Sequence, residues 1–492
     1  MKILFVHAAS EHLGIEHLSA FLKSRGHETS LVFDPAQFSG QENARIPLIS
    51  GMFDITPKML DAVASHNADL IAFSSYTVNF RWALDMAERI REKIDTPIVF
   101  GGPHATAVPH RVIRYPQVDA VVVGEGEETL LEMMENMRGG RLPESPIRNV
   151  WRKKGDRVEH SPPRPYIRDL DNLPFPDKEL FYSKVPAFSK NYMVLASRGC
   201  PYRCAFCSNS LYHDLYSEEK NHVRRRSPGD VIEELAASKK KYSIEMVSFW
   251  DDVFTMSGRW LEEFAHLYKS EIGLPYDCYT HPLSIDERRA ELLADSGCFR
   301  VKIGMQTVSD ETRRRFLDRA GDSAAVEKTI DILHRHGVSV GVDHMLGLPG
   351  EGPDEQKAAA EFYSRTRPER INSYWMLYFP GAKITGDQRE SGELTDEDVE
   401  KIEEGLSQTS YIYADPSAGR ELYKLKSYQT FFDIEPLLPA SIAGRLAESR
   451  ALGKLPYHPL LRQIIVTLAA IFQNDRRYRQ HLKLLVSKKH VP

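Results

Sequence analysis

Cys200, Cys204 and Cys207 stand within eight residues, in the segment Cys200-Pro201-Tyr202-Arg203-Cys204-Ala205-Phe206-Cys207. The chain's other two cysteines, Cys278 and Cys298, stand alone. Soft thiolates suit zinc or iron–sulfur clusters. Zinc usually demands a fourth Cys or His, commonly in a second paired motif, and no other Cys-x-x-Cys pair occurs. A cubane held by three thiolates leaves one iron open, and an open iron can be chelated by the amino and carboxylate groups of a small molecule. An odd number of cysteines, clustered in a chain whose first residues lack a signal-peptide core, points to a metal site in a reducing compartment, the cytoplasm. Cys278 and Cys298 read as small buried hydrophobes rather than ligands.

The elements that would position these thiols follow from periodicity. Apolar strands are expected at residues 3–6, 30–33, 70–74, 97–100 and 120–123, with helices between them. One helix places Ile15, Leu18, Phe21 and Leu22 on one face, and another places Trp82, Met86 and Ile90 so. Such alternation predicts a parallel sheet covered on both faces, Rossmann-like, over residues 1–140. Ligands of such sheets bind beyond the carboxyl ends of the strands. Residues 141–190 hold eight prolines and read as an extended connector. A second alternation over residues 191–390 places strands at 192–196, 246–250, 276–281, 300–304, 338–345 and 371–377, enough for an open or partial barrel. Residues 391–492 read as mainly helical. Their basic end, residues 456–492, carries seven Lys/Arg against one Asp and encloses the apolar run 464–472. It reads as a packed terminal helix, with contact to a membrane surface or lipophilic substrate as the sharper alternative.

At 492 residues the chain needs two or three cores. A net charge of −5 gives no electrostatic reason to expect nucleic acid. No run reaches about 18 apolar residues, so no transmembrane segment is expected.

Cys-x-x-x-Cys-x-x-Cys with an aromatic residue before the third cysteine resembles the radical S-adenosylmethionine (radical SAM) superfamily, residue for residue at Cys200, Cys204, Phe206 and Cys207. The resemblance implies a [4Fe–4S] cluster on the three cysteines and S-adenosylmethionine on its open iron. It further implies a 5′-deoxyadenosyl radical, exclusion of oxygen, and an external one-electron reductant such as flavodoxin or ferredoxin. The SAM-binding residues it implies are Phe206, Asp251, Asp252, Gln306, Gly347, Gly350 and Tyr378. Asp251 and Asp252, ending the second barrel strand, are adjacent acceptors for the methionine ammonium, or else a helix N-cap and its solvated neighbour. Gln306 stands where the family often has Glu, so a hydrogen bond survives and a charge is lost. Gly347-Leu348-Pro349-Gly350-Glu351 looks like the adenine-side turn, and Tyr378 belongs to a further segment of the adenine pocket. His281 either faces substrate or is structural.

The N-terminal pattern is similar to the cobalamin-binding domain that precedes the barrel in one branch of that superfamily. Its likeness rests on Gly14, on Gly101-Gly102-Pro103-His104, on Gly124-Glu125-Gly126-Glu127 and on the connector Asp171-Asn172-Leu173-Pro174-Phe175-Pro176. Residues expected to line cobalamin are Gly14, Ser74, Ser75, Tyr76, Gly101, Gly102, Gly124 and Glu125. The Asp-x-His-x-x-Gly motif whose His ligates cobalt in many cobalamin proteins is absent. Glu11-His12-Leu13-Gly14 has the wrong spacing, and Asp343-His344-Met345-Leu346-Gly347 lies in the barrel. No protein imidazole is therefore expected on cobalt. The whole resemblance implies a cobalamin-dependent C-methyltransferase acting on an unactivated carbon of a small or lipophilic substrate, by way of the 5′-deoxyadenosyl radical and methylcobalamin. The alternative is ring formation or rearrangement without methyl transfer, such as the oxidative cyclisation of a tetrapyrrole. A non-enzymatic cobalamin or redox sensor is a third.

Overall fold

The computed structural model of the chain describes residues 1–35, 54–155, 157–406, 419–449, 451–457, 462 and 464–465. The first domain is built on a seven-stranded sheet in the order β2-β1-β3-β4-β5-β6-β7. Strands β1 (Lys2–Ala8), β2 (Glu28–Asp34), β3 (Leu70–Ser74), β4 (Ile98–Gly101) and β5 (Ala120–Val122) run parallel. They are near-continuous apolar runs because helices cover both faces. One face packs Phe5, Ala72, Val99 and Val122; the other packs Leu4, Ile71, Phe73 and Phe100 against Phe80, Leu84 and Ala87 of the helix Phe80–Arg91. Helix α1 (Leu13–Ser24) begins where the His12 side chain accepts the Ile15 N–H, and it buries Ile15, Phe21 and Leu22.

The proline-rich stretch holds structure that its composition hid. Strands β6 (Val150–Lys154) and β7 (Arg157–His160) extend the first sheet antiparallel at its β5 edge. The remaining connector is clamped to α1. Lys178, 3% exposed, places its ammonium 2.8 Å from Glu11 and 2.7 Å from Glu16, and Asp177 accepts from Ser19 and Lys23.

The second domain is a six-stranded, all-parallel partial barrel in the order β15-β14-β13-β12-β11-β8. Its strands are β8 (Asn191–Val194), β11 (Met246–Phe249), β12 (Tyr276–Thr280), β13 (Cys298–Gln306), β14 (Ser339–Leu346) and β15 (Arg370–Trp375). A short antiparallel pair, β9 (Ser197–Arg198) and β10 (Arg224–Arg225), flanks the cysteine loop. Outward residues such as Val247, Phe249, Val301 and Val342 meet the surrounding helices, and the alternate residues face the lumen. Cys278 and Cys298 are free and buried, on that outward side among the core apolar residues. Helix Gly419–Ile434 covers the open β15 edge, where the Trp375 indole donates to Gln429 Oε1 at 3.0 Å. Of the basic C-terminal stretch, residues 458–461, 463 and 466–492 lie outside the described residues, and most of the apolar run 464–472 with them. Among the described residues, no helix is long and apolar enough to cross a membrane.

Candidate functional site

The carboxyl edge of the first sheet and the barrel lumen open onto one cavity of about 1160 Å³. Its first-domain wall includes Gly14, Ser74, Tyr76, Gly101, Gly102, Gly124 and Glu125, and it deepens between Phe5, Leu18, Ala72, Val99, Val122 and Leu130. Seven of the eight residues expected to line cobalamin are thus at this wall. Ser75 is not: it is fully buried and donates to the Gly101 carbonyl at 3.2 Å. Gly102 (φ 89°) has no room for a Cβ, which would stand 2.8 Å from the Ser75 nitrogen. That close approach holds the β3 and β4 loops together at the sheet edge.

Glu125, besides standing at this wall, is ion-paired. Its carboxylate lies 2.8 Å from Arg224 and 3.2 Å from Arg198, and Arg198 also meets Glu127 at 2.8 Å. These ion pairs tie the last loop of the first sheet to the strand that leads into Cys200. Nothing local in the sequence marks them, because the partners are some 70 to 100 positions apart.

The His12 imidazole is committed at both nitrogens. Nδ1 accepts the Ile15 N–H at 3.3 Å, and Nε2 lies 3.1 Å from Ser74 Oγ. Burial holds its pKa down at about 4.

The cysteine loop turns at Gly199 (φ 86°), where a Cβ would collide with the His222 carbonyl oxygen. Cys204 is buried, and Cys200 and Cys207 are half-buried. Burial, and then the Asp252 charge, pushes the Cys200 thiol up to about 12; burial raises Cys207 as well. Cys204 adds to the rise at both other cysteines, so the three thiols sense one another. Among the described residues, no group of three His, Cys, Asp or Glu side chains is gathered to hold a single metal ion. Three cysteines on one loop, with the Cys204 charge felt at both others, fit a group that would take them as thiolates and release their protons on binding. Two donors aim at the sulfurs: Asn209 Nδ2 at Cys207 Sγ (3.7 Å) and Arg319 Nη1 at Cys204 Sγ (3.6 Å). The sequence reading missed both. Arg319 lies 115 positions away, while Asn209 sits two residues past Cys207.

Asp251 is buried and accepts from Ser197 Oγ and, at 3.1 Å, from the Ala196 N–H. It braces the loop before the cysteines. Asp252 instead accepts from Asn209 at 3.0 Å, and burial raises its pKa to about 6. Gln306 ends β13 in the left-handed region (φ 63°), at a register shift against β14; such irregularities re-aim side chains. Gly347 and Gly350 both have positive φ. Phe206, Tyr378 and Leu348, from three loops, pack into one apolar group with Ala205 and Met376. The His281 Nδ1 accepts from the Leu283 N–H at 3.3 Å, its ring stacks on Tyr202 with centroids 4.0 Å apart, and its buried Nε2 has no partner among the described residues.

Residues 194–363 match the Radical SAM superfamily, and residues 4–133 match the B12 binding domain. An uncharacterized methyltransferase of Pyrococcus horikoshii is 28% identical over 63% of this chain and 66% of its own length. Cytidylyl-2-hydroxyethylphosphonate methyltransferase of Streptomyces wedmorensis is 26% identical over 71% and 72%. The anaerobic magnesium-protoporphyrin IX monomethyl ester cyclase of Rubrivivax gelatinosus is 24% identical over 77% and 68%. Among solved structures, the fold is shared with the methyltransferase TsrM of Kitasatospora setae (TM-score 0.62, 17% identity, 79% of this chain and 78% of that one). It is also shared with the cobalamin-dependent radical enzyme OxsB (TM-score 0.65, 13% identity, 99% and 82%).

Proposed function

The chain belongs to the cobalamin-binding radical SAM enzymes, and from that premise we propose that it is a C-methyltransferase acting on an unactivated carbon of a small molecule. The observation that carries this reading is the single cavity shared by the first-sheet loops and the barrel lumen. On the barrel side the cavity reaches Arg198, two residues before Cys200, and Trp250, the neighbour of Asp251, so a substrate there would lie next to the residues that flank the cluster loop. The B12-binding match is accompanied by methyltransferases among the relatives.

Bound, the cluster and S-adenosylmethionine would supply a carbon-activating radical and cobalamin a transferable methyl group. The residues of this chain do the rest. Cys200, Cys204 and Cys207 would hold the cluster, and the hydrogen bonds from Asn209 and Arg319 to the sulfurs would favour its reduced form. Asp252 would accept the methionine ammonium, with Asn209 fixing the carboxylate's rotamer. Asp251, although beside it, holds Ser197 and Ala196 and so positions the loop rather than the ligand. Gln306 would offer an amide from its bulged strand end. The turn at Gly347 and Gly350, with Gly350 packed under the Phe316 ring, would offer its backbone to the nucleoside, and Phe206 and Tyr378 would give an aromatic base a dry surface to lie on. On the other wall, Gly14, Gly101, Gly102 and Gly124 would admit the corrin to the sheet edge, while His12 stays committed to the backbone and Ser74. An acidic one-electron carrier such as flavodoxin or ferredoxin would reduce the cluster in the cytoplasm.

The cyclase among the relatives gives a second reading, ring formation without methyl transfer. Anaerobic reconstitution with iron, sulfide and cobalamin, followed by quantification of products, separates the two. Methyl transfer yields 5′-deoxyadenosine and S-adenosylhomocysteine in equal amounts and a product heavier by one methylene unit. 5′-Deoxyadenosine without S-adenosylhomocysteine would replace the methyltransferase with the cyclase-type reaction.

A further inference from the structure

The turn that aims Gln306 and the turn at Gly347 and Gly350 are joined by one side chain, Glu351. Its N–H donates to the Leu348 carbonyl at 3.1 Å, within the second turn. Its carboxylate accepts from Thr307 Oγ1, beside Gln306, and from Gln356 Nε2 at 3.1 Å.

The Gln306 turn is tight. Gln306 has φ 63°, and the Thr307 N–H closes the turn on the Met305 carbonyl at 2.8 Å. The Gln306 side chain folds back over Gly304, where a Cβ would collide with its Nε2. There it stands beside Arg319, which donates to the Gly304 carbonyl at 2.7 Å and to Cys204 Sγ at 3.6 Å. A left-handed residue other than glycine persists only where its surroundings hold it. Thr307 is held at its carbonyl by the Arg313 guanidinium and at its hydroxyl by Glu351. The Thr307 hydroxyl oxygen also accepts the Ser309 N–H at 2.9 Å, which leaves its hydrogen for Glu351.

A buried chain reaches Glu351 from the other side. Tyr363 Oη lies 2.9 Å from His344 Nδ1, and His344 Nε2 lies 2.8 Å from Gln356 Oε1. An ionised carboxylate only accepts, so Gln356 gives it an amide hydrogen and turns Oε1 to His344, whose proton is then on Nε2. His344 is itself the register neighbour of Gln306. The chain runs from the helix Pro353–Thr366 to β14 and back, and it ends on Glu351 between the two turns.

Thr307 and Thr312 face Glu351 from one side, and Gln356 and Glu355 from the other. Burial among them lifts its pKa to about 7. A proton on Oε2 would confront the Gln356 amide with a second donor, and one on Oε1 would reverse the Thr307 bond. Either way a charge-assisted hydrogen bond gives way to a neutral one, about half as strong, or to none.

We propose that Glu351, as its carboxylate, is a positioning residue for S-adenosylmethionine: it sets the Gln306 turn against the Gly347–Gly350 turn so that both meet the ligand. This rests on reading those turns as the ligand's holders. It deepens that reading by naming the group that spaces them and by making their grip depend on its ionisation.

The test titrates S-adenosylmethionine calorimetrically into the anaerobically reconstituted full chain between pH 6 and 8.5, in two buffers of different ionisation enthalpy so that released protons are counted. The unaltered protein should bind up to about tenfold more tightly at pH 8 than at pH 6 through this group, and release protons near pH 7. Asp252 titrates lower, near 6, so the measure is the difference from Glu351→Gln. That variant should bind several-fold more weakly at pH 8 and lose the proton release near pH 7. Thr307→Val should weaken binding likewise, and Thr307→Ser, which keeps the hydroxyl, should restore it. The double variant Glu351→Gln, Thr307→Val should be no weaker than the worse single one, because both remove the same bond. Iron and cobalt contents should stay unchanged throughout. A Glu351→Gln protein with the unaltered affinity and pH profile overturns the proposal, and so does one that loses iron, cobalt and S-adenosylmethionine together, since Glu351 would then support the fold at large. Should Glu351→Gln fail to fold, equal binding by Thr307→Val and Thr307→Ser overturns it. Failure of the methyltransferase reading shows separately, in the nucleoside products.

Discussion

Glu127 of the first domain and Arg198, two residues before Cys200, lie 2.8 Å apart across the domain boundary, with the Glu127 side chain 5% exposed. Glu125 adds a second carboxylate to the same guanidinium and reaches Arg224 besides. The loop at the first-sheet wall of the cavity and the loop that bears the cysteines are therefore one electrostatic unit.

Removing one partner from this unit leaves a buried charge behind. Glu127→Gln should destabilise the protein by about 1–3 kcal/mol, below the roughly 3–5 kcal/mol typical for breaking a buried pair, because Glu125 still neutralises Arg198. Glu125→Gln together with Glu127→Gln should exceed the sum of the single changes, since the two share a partner. Urea unfolding of the four proteins checks both expectations; strict additivity would mean that the two carboxylates act independently.

Two carboxyl groups, the buried Glu435 and the half-buried Glu351, make stability fall as pH rises. Burial lifts Glu351 to about 7 against the hydrogen bonds from Thr307 and Gln356, and lifts Glu435 to about 7 against Arg367. Each folded-state pKa stands above the ordinary 4.5, so between about pH 4.5 and 7 the native protein holds protons that the unfolded chain has released. Stability from these groups is therefore full below about pH 4.5 and declines by up to about 1.4 kcal/mol per pH unit per group until about pH 7. Glu351→Gln should flatten that slope. Denaturant midpoints at pH 5, 6, 7 and 8 measure it, and an unchanged slope in the variant would remove Glu351 from the account.

The strands of both domains were legible because parallel, doubly covered strands are apolar runs separated by amphipathic helices, as at residues 70–74 and 246–250. The cysteine loop was legible because its chemistry is local. What escaped was either long-range or masked by composition. Strands β6 and β7 sit in a segment whose prolines argued for an extended tether, yet the prolines cluster outside the two short strands. Asp251 and Asp252 are indistinguishable as neighbours in sequence, and only the fold turns one toward Ser197 and the other toward Asn209. Ser75 looked equivalent to Ser74, but alternation at the end of β3 buries it beneath the Gly101 carbonyl. Arg319 could not be paired with Cys204 by any local rule.

Gly199 is set in the left-handed region and packed against the backbone of residue 222. Gly199→Ala adds the left-handed penalty of about 1–2 kcal/mol to a collision with a carbonyl oxygen that cannot swing aside. The pairing of β9 with β10 should open, and the cysteine loop with it. The expected outcome is a folded protein with sharply reduced iron after anaerobic reconstitution, while cobalamin uptake by the first domain persists. Iron and cobalt quantified on the same sample test this; loss of both together would show that the turn supports the whole molecule rather than the loop.

The state of His12 makes a spectroscopic prediction. Its Nδ1 accepts a backbone N–H, so the ring proton sits on Nε2 and is directed at Ser74 Oγ. A pKa of about 4 keeps the ring neutral at physiological pH, but its one lone pair is already spent on the cap of α1. Coordination to cobalt would require breaking that cap, at about 1 kcal/mol, and moving a buried ring that packs against His7 and Tyr76. The holoenzyme reduced to the Co(II) state should therefore show an electron paramagnetic resonance spectrum without nitrogen splitting from a protein imidazole. Labelling the histidines isotopically should leave it unchanged. His12→Ala should lower stability through the lost cap while leaving the cobalt signal as it was. A splitting that follows the histidine label and vanishes in His12→Ala would place that imidazole on the metal and reverse the assignment.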